Sequence, residues 1–331
     1  MYAVSFSHRP SEHHKRSLWV HGQPLYCPCE TKRAQSLRTR CSSGRTPTPV
    51  RWHHDAVTHA RQQQIQVVAH RGASEDAPEH TLAAYKKAIE DGADALECDV
   101  RLTADGHLVC VHDRRVNRTS NGRGAVSALE LAELAALDFG SRKNRDSWKN
   151  RAEEPDWEFR PEDPEDTSVL TLERLLELVA DAGRRVEMAI ETKHPTRWAG
   201  QVEERLLHLL KRFGLDAPAS AEESPVRVMS FSARSLHRVR AASPTLPTVY
   251  LMQFVSPRLR DGRLPAGVHV AGPSIRIVRN HPAYVERLKG AGHQVHVWTV
   301  NEPQDVDLCV ELGVDAIITN RPRAVLHQLG R

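Results

Sequence analysis

Val67-Val68-Ala69-His70-Arg71-Gly72 is a short apolar run that stops at a histidine, an arginine and a glycine. The run reads as a buried strand, and its end presents a proton-transfer group and an anion-binding cation. In an α/β protein that combination belongs where a strand delivers side chains into a site. A lone His-Arg-Gly carries little weight, so the fold is decided by the pattern of strands and helices C-terminal to it.

Thr81 is placed to cap a helix whose Leu82, Tyr85 and Ile89 recur at helical spacing, with Gly92 closing it. Ala95–Leu102 is the next strand, Thr103-Ala104-Asp105-Gly106 a hairpin turn, and Leu108–Val111 the returning strand, ending at His112-Asp113. Ser127-Ala128-Leu129-Glu130 reads as a capping box that opens a helix with Leu131, Leu134 and Leu137. From Phe139 to Ser168 periodicity vanishes. The stretch is charged and proline-punctuated, carries Trp148, Trp157 and Phe159, and is too long for an ordinary connection, so a lid or binding loop is expected there. Thr171 begins a helix with Leu172, Leu175, Leu176 and Val179 in register.

Strands are then expected at Arg185–Thr192, Val226–Ser230, Thr248–Leu251, Val268–Ala271, Gln294–Val300 and Ala316–Thr319. Helices are expected at Trp198–Phe213, Ala233–Ala242, Pro282–Ala291, Gln304–Leu312 and Pro322–Leu329. Leaving out the hairpin return, eight strands alternate with helices, which points to a (β/α)₈ TIM-type barrel with a small insertion (about 113–168) after the hairpin. A doubly wound open sheet is the alternative. The barrel is preferred because no glycine-rich dinucleotide fingerprint follows the first strand and polar residues cluster at strand C-termini.

The chain has 331 residues, 40% hydrophobic and 27% charged, with a net charge of +4 that is unevenly spread. Residues 1–64 hold ten Lys/Arg against three Asp/Glu, a net of +7, and the remainder carries −3. Whole-chain basicity is therefore no argument for nucleic acid. No window approaches the apolar length of a membrane span, and the N-terminus lacks the apolar region of a secretory signal. Six scattered cysteines do not make a disulfide framework, so reduced thiols in the cytoplasm are expected, with Cys98 and Cys110 a buried pair. Residues 1–64, rich in Arg, His, Ser and Pro, read as a disordered tail. A sharper expectation is a start-site artefact, orderly sequence beginning near Val57; native N-terminal peptides from residues 1–50 would overturn it. Cys27-Pro28-Cys29 lacks a second pair at zinc-finger spacing. Residues 65–331 form the domain.

Glu97 and Asp99 lie two apart on one strand and so point to one face, as do Glu191 and Lys193. Three carboxylates without thiolates suit a hard divalent cation, Mg²⁺ or Ca²⁺. Acidic groups on a buried barrel strand need a compensating cation. The Asp105-Gly106 turn folds His112 back beside Glu97–Asp99, and His70 reaches the same place from the adjacent strand. Two histidines, a held cation, Arg71 and Lys193 suit cleavage of a phosphodiester. Taken singly, each of these is more often structural: a strand-end hydrogen-bonding histidine, a solvated Glu-x-Asp, a local Glu-x-Lys pair. Their joint placement reverses that balance. Trp298 is either barrel filling or an aromatic wall for a substrate headgroup.

From Val67 to Pro322 the chain resembles the glycerophosphodiester phosphodiesterase family. The resemblance rests on His70-Arg71-Gly72, Pro78-Glu79-His80-Thr81, Glu97-Cys98-Asp99, Thr103-Ala104-Asp105-Gly106, His112-Asp113, Glu191-Thr192-Lys193, Ser230-Phe231, Trp298-Thr299-Val300-Asn301 and Thr319-Asn320-Arg321-Pro322, all in family order. It implies a barrel, a cation at Glu97, Asp99 and Glu191, an acid–base pair of His70 and His112, and phosphate contacts from Arg71 and Lys193. It also implies that a glycerol hydroxyl of the substrate attacks first, giving a cyclic phosphate that water opens. His80 stands where the family usually has Asn, which bears on the support of Glu79 and on the start of the first helix. The expected activity is hydrolysis of glycerophosphodiesters to sn-glycerol 3-phosphate and an alcohol. Its rivals are a lysophospholipase D or sphingomyelinase D activity and a non-catalytic phosphodiester-binding sensor.

Overall fold

The computed structural model describes residues 64–140, 163–194 and 200–331. Strands β1 (Gln66–His70), β2 (Ala95–Leu102), β4 (Glu187–Thr192), β5 (Val226–Ser230), β6 (Thr248–Met252), β7 (Val270–Pro273), β8 (Gln294–Val297) and β9 (Ala316–Thr319) pair in parallel, and β1 joins both β9 and β2, closing an eight-stranded barrel. β3 (Leu108–Cys110) lies antiparallel on β2 outside the ring.

Alternation along each strand sorts side chains between lumen and helices. Met188 and Ile190 of β4 join the shell that packs under the helices, while Ala189 joins Val68, Ala95, Met229, Val249, Leu251, Val270, Ala316 and Ile318 in the barrel centre. The same alternation puts Glu97, Asp99 and Glu191 above that apolar plug, at the C-terminal end where barrel enzymes work.

α1 (Leu82–Glu90) starts where expected, with Thr81 Oγ1 accepting from the Ala84 N–H at 3.2 Å, so His80 does not disturb the helix start. Gly72 makes the approach from β1 feasible: at φ +83°, a Cβ there would lie 2.6 Å from the Ala84 carbonyl carbon. The Ser127 capping box is corrected. A 3₁₀ turn occupies Val126–Ala128, and α2 (Leu131–Ala135) begins at Glu130, whose N–H donates to the Glu133 carboxylate at 2.8 Å. The cause is tertiary: Asp105 Oδ1 of the hairpin takes the Leu131 N–H at 3.1 Å, satisfying a helix-end donor from outside the helix.

α3 (Leu172–Ala180) begins at Thr171 as expected, and α4 (Gln201–Arg212) and α5 (Ala233–Ala242) follow in order. α6 (Ile275–Asn280) has no counterpart among the expected helices, because six residues are too few for helical periodicity to register. α7 (Pro282–Gly290), α8 (Pro303–Glu311) and α9 (Pro322–Gln328) complete the ring. β8 stops at Val297, short of the expected Val300, with a single further parallel bridge joining Trp298 to Ser274. β7 is displaced two residues from Val268–Ala271.

Within the insertion, Val116, Val126, Leu134 and Phe139 pack on Val109 and Val111 of the hairpin arm as a small satellite core, and the Phe139 N–H donates to the Thr167 carbonyl at 2.8 Å. The aromatic residues expected in its middle, and all but Gln64 of the tail, lie outside the described residues. Among the described residues no helix is long and apolar enough to cross a membrane.

Candidate active site

Three adjacent strands build the floor of the site by register alone. His70 is paired with Glu97 across β1 and β2, and Asp99 with Glu191 across β2 and β4. The three carboxylates, all nearly inaccessible to solvent, bring one oxygen each to within 4.8 Å of one another. This oxygen-only donor set, compact and buried, fits a hard divalent cation such as Mg²⁺ or Ca²⁺.

The local electrostatics point the same way. Burial and the Asp99 charge push the Glu97 carboxyl well above the usual carboxylate range, and the same two causes raise Glu191 to about 8. Burial also penalises the Asp99 charge, but Lys193, the His80 bond and Arg71 outweigh it and hold Asp99 well below that range. Lys193 Nζ sits 3.1 Å from Asp99 Oδ1 and 2.9 Å from Glu191 Oε1, and Arg71 Nε lies 3.1 Å from Asp99 Oδ2. Both cations therefore face the carboxylates.

The two histidines arrive with one nitrogen each already engaged. His70 Nδ1 lies 2.7 Å from Asn320 Oδ1, which leaves Nε2 pointing toward Glu97 at 3.9 Å. Burial, and then the Arg71 charge, lower His70 to about 3, so its imidazole is neutral. The hairpin delivers His112 as its turn chemistry demands. Gly106 takes the left-handed φ of +87° in the turn, Leu102 pairs with Leu108, and the Val111 N–H donates to the Asp99 carbonyl at 3.0 Å. His112 therefore follows the residue level with Asp99. Its Nδ1 donates to Asp113 Oδ1 at 2.7 Å, and burial lowers its pKa against the opposing pull of Asp99.

Glu79 and Trp298 both flank this floor. Glu79 accepts from Arg71 Nη1 at 3.1 Å. Burial alone would raise Glu79, yet the bonds from Arg118 and the charges of Arg71 and Arg118 bring it down to about 2. The Trp298 indole N–H donates to the Gly272 carbonyl at 2.7 Å, and its ring meets Phe231 edge-on at 5.5 Å, with Lys193 Nζ 6.0 Å from the Phe231 ring. Trp298 also packs against the barrel plug, which accounts for it as barrel filling.

Sequence reasoning did not find four of these partners. Arg118 grips Glu79 with two bonds, at 2.6 and 2.7 Å, and Asp113 with one at 2.7 Å. Asn320 stands just beyond β9, and its position at a strand end was the available signal. His80 and Tyr85 reach Asp99 and the Glu97 backbone from the start of α1. Such contacts leave no spacing signature.

Residues 70–324 match the model of the glycerophosphoryl diester phosphodiesterase family. The chain is 48% identical over 256 residues to "Probable glycerophosphodiester phosphodiesterase 1" of Mycobacterium tuberculosis, covering 77% of this chain and 89% of that protein. It is 33% identical over 264 residues to the glycerophosphodiester phosphodiesterase of Caldanaerobacter subterraneus subsp. tengcongensis, covering 79% of this chain and 96% of that one. In structure it is similar to an Oleispira antarctica phosphodiesterase solved in complex with the product sn-glycerol-3-phosphate, with TM-score 0.63 at 23% identity over 82% of this chain and 99% of that one. With the family matched along nearly all of the barrel and the acidic floor built as described, the chain belongs to the glycerophosphoryl diester phosphodiesterase family and is a phosphoric diester hydrolase.

Proposed function

We propose that the chain hydrolyses glycerophosphodiesters to sn-glycerol 3-phosphate and an alcohol with the help of one divalent cation, His70 and His112 being the acid–base pair. The observation that carries the reading is the buried Glu97–Asp99–Glu191 cluster with a half-engaged histidine on either side of it. Glu97, Asp99 and Glu191 would hold the cation, which when bound supplies charge stabilisation for the phosphoryl oxygens. Arg71 and Lys193 turn from the carboxylates to the phosphate and add to that stabilisation.

The hydrogen bonds divide the two histidine roles. An amide oxygen only accepts, so His70 keeps its proton on Nδ1 toward Asn320 and offers Nε2 as a lone pair, the form of a general base. His112 has a carboxylate on Nδ1, and Asp113 stabilises the protonated ring, the form of a general acid that gives Nε2–H to the leaving alkoxide. His70 would thus take the proton of the attacking glycerol hydroxyl in the first step. In the second, the now neutral His112 would take a proton from water while His70 returns its proton to the glycerol oxygen that leaves as the cyclic phosphate opens.

A charged insertion, Arg114, Arg115, Arg118 and Arg123 among its residues, favours a small polar substrate over a lysolipid. The Oleispira relative's product agrees with this reading. Free, buried Cys98, Cys110 and Cys309 agree with a cytoplasmic location.

Glycerophosphocholine is the test substrate. Release of sn-glycerol 3-phosphate that stops with EDTA and returns with Mg²⁺ or Ca²⁺ is expected. Turnover indifferent to EDTA would remove the cation from the proposal. Binding without turnover would leave a sensor, and faster turnover of lysophosphatidylcholine a lysophospholipase D.

A further inference from the structure

Asp99 has three cationic or donor partners in the site. Two of them, Arg71 and Lys193, are the side chains that the proposed function turns toward the phosphate. The third, His80, has no other ligand to serve. Its Nε2 lies 2.9 Å from Asp99 Oδ2, and because a carboxylate only accepts, that nitrogen carries the proton. Its Nδ1 lies 2.9 Å from the Tyr85 hydroxyl, which is also 2.9 Å from the Glu97 main-chain carbonyl. His80 is 5% exposed, and Asp99 is 1% exposed.

The backbone makes this contact possible. His80 holds φ at +60°, a left-handed conformation that non-glycine residues enter rarely and that Asn, Asp and His tolerate best. Its N–H donates to the Arg71 carbonyl at 3.1 Å, which locks the turn. Thr81 then opens α1, so the ring is clamped between a capped helix and β2. The left-handed turn aims position 80 inward, where the imidazole N–H gives Asp99 a donor.

We propose that His80 is a positioning residue for the cation site, fixing the Asp99 carboxylate directly and the Glu97 main chain through Tyr85. It sets two of the three oxygen donors before the cation arrives and keeps Asp99 in place while Arg71 and Lys193 attend to the phosphate. This is the part that supporting hydrogen bonds play around metal ligands elsewhere, where their removal costs about 10–100-fold in affinity or activity. The inference rests on the proposed cation site.

The test is calorimetric titration of the chelator-treated full chain with Mg²⁺ and with Ca²⁺, for wild type, His80→Ala, His80→Asn and Tyr85→Phe. Thermal melts of each confirm folding. His80→Ala should weaken cation binding by about 10–100-fold, with kcat recovering toward wild type at saturating cation. His80→Asn accepts the left-handed φ and keeps an N–H donor, though one set nearer the main chain than the imidazole Nε2, so it should regain part of the lost affinity; Tyr85→Phe should fall between wild type and His80→Ala. Equal cation affinity in wild type and His80→Ala overturns the role of His80. An Asn variant as weak as the Ala variant overturns the donor argument. If wild type binds neither cation, the cation site itself falls, and that arm is read independently of the variants.

Discussion

Lys193 shows how closely packed this site is. Its ammonium is buried between Asp99 and Glu191, two residues directly paired across β2 and β4, and it offsets the buried Asp99 charge. Breaking a buried charge pair by removing one partner costs about 3–5 kcal/mol. Lys193→Met should therefore lower the melting temperature in EDTA by roughly 6–20 °C at about 2–4 °C per kcal/mol, and Mg²⁺ or Ca²⁺ should restore part of it. An identical loss with and without cation would contradict the idea that ammonium and cation answer the same negative charge. The histidines separate by leaving group. If His112 is the acid, His112→Ala should lose about 10²–10⁴-fold on a choline ester but far less on a p-nitrophenyl ester, whose leaving group needs no proton. His70→Ala should lose as much on both. At this scale the i, i+2 rule made Glu97, Asp99, Glu191 and Lys193 readable in the sequence. His80 was not readable, because its role depends on a left-handed turn and on a partner nineteen residues away.

The hairpin and the insertion carry the second wall. The turn at Asp105-Gly106 set the register that brings His112 to β2, and this was legible because a turn type fixes its register. The start of the helix after it was not legible, since the side chain that caps its first donor comes from the hairpin and not from its own sequence. Arg118, from the insertion, was equally hidden. It ties Glu79, which holds Arg71, to Asp113, which holds His112. The two walls of the site thus meet at one guanidinium. Arg118 is 46% exposed, so its ion pairs add little to stability. Its loss should be felt in geometry instead: Arg118→Ala should reduce kcat/KM by about 10–100-fold while shifting the melting temperature by only a degree or two. Lys at that position, lacking the fork, should recover only part of the rate. The effects of Arg118→Ala and Glu79→Gln should fall short of additive, because both cut the same link. Strict additivity would show that Glu79 and Arg118 act separately.

The whole barrel has two polar ends with different work to do. The C-terminal end carries the candidate site. Toward the N-terminal end, Arg227 donates to Glu187 at 3.2 Å and to Gln66 at 2.6 Å, and Gln66 in turn donates to Glu187 at 2.8 Å, tying β1, β4 and β5 together. Polar residues at that end of a barrel serve stability. His296 of β8 is buried in the same region, its Nδ1 without a hydrogen-bond partner among the described residues. Burial first, and then the Arg227 charge, hold its pKa well below the ordinary value of 6.5. The unfolded chain therefore takes a proton on this residue below pH 6.5, where the folded chain does not. The contribution of a neutral His296 is complete above pH 6.5 and is lost as the pH falls, at up to about 1.4 kcal/mol per pH unit. Glu97 and Glu191, raised in the fold, bind protons there earlier than in the unfolded chain and oppose this trend, so the wild-type melt alone does not isolate it. The difference between wild type and His296→Gln does. Glutamine costs whatever it costs in packing, but that cost does not titrate. Between pH 7 and pH 5 the gap in melting temperature between the two should close by the equivalent of about 2 kcal/mol, roughly 4–8 °C. Curves that stay parallel over that range would mean His296 is protonated in the fold as readily as outside it, and that the N-terminal end of the barrel admits water to its imidazole.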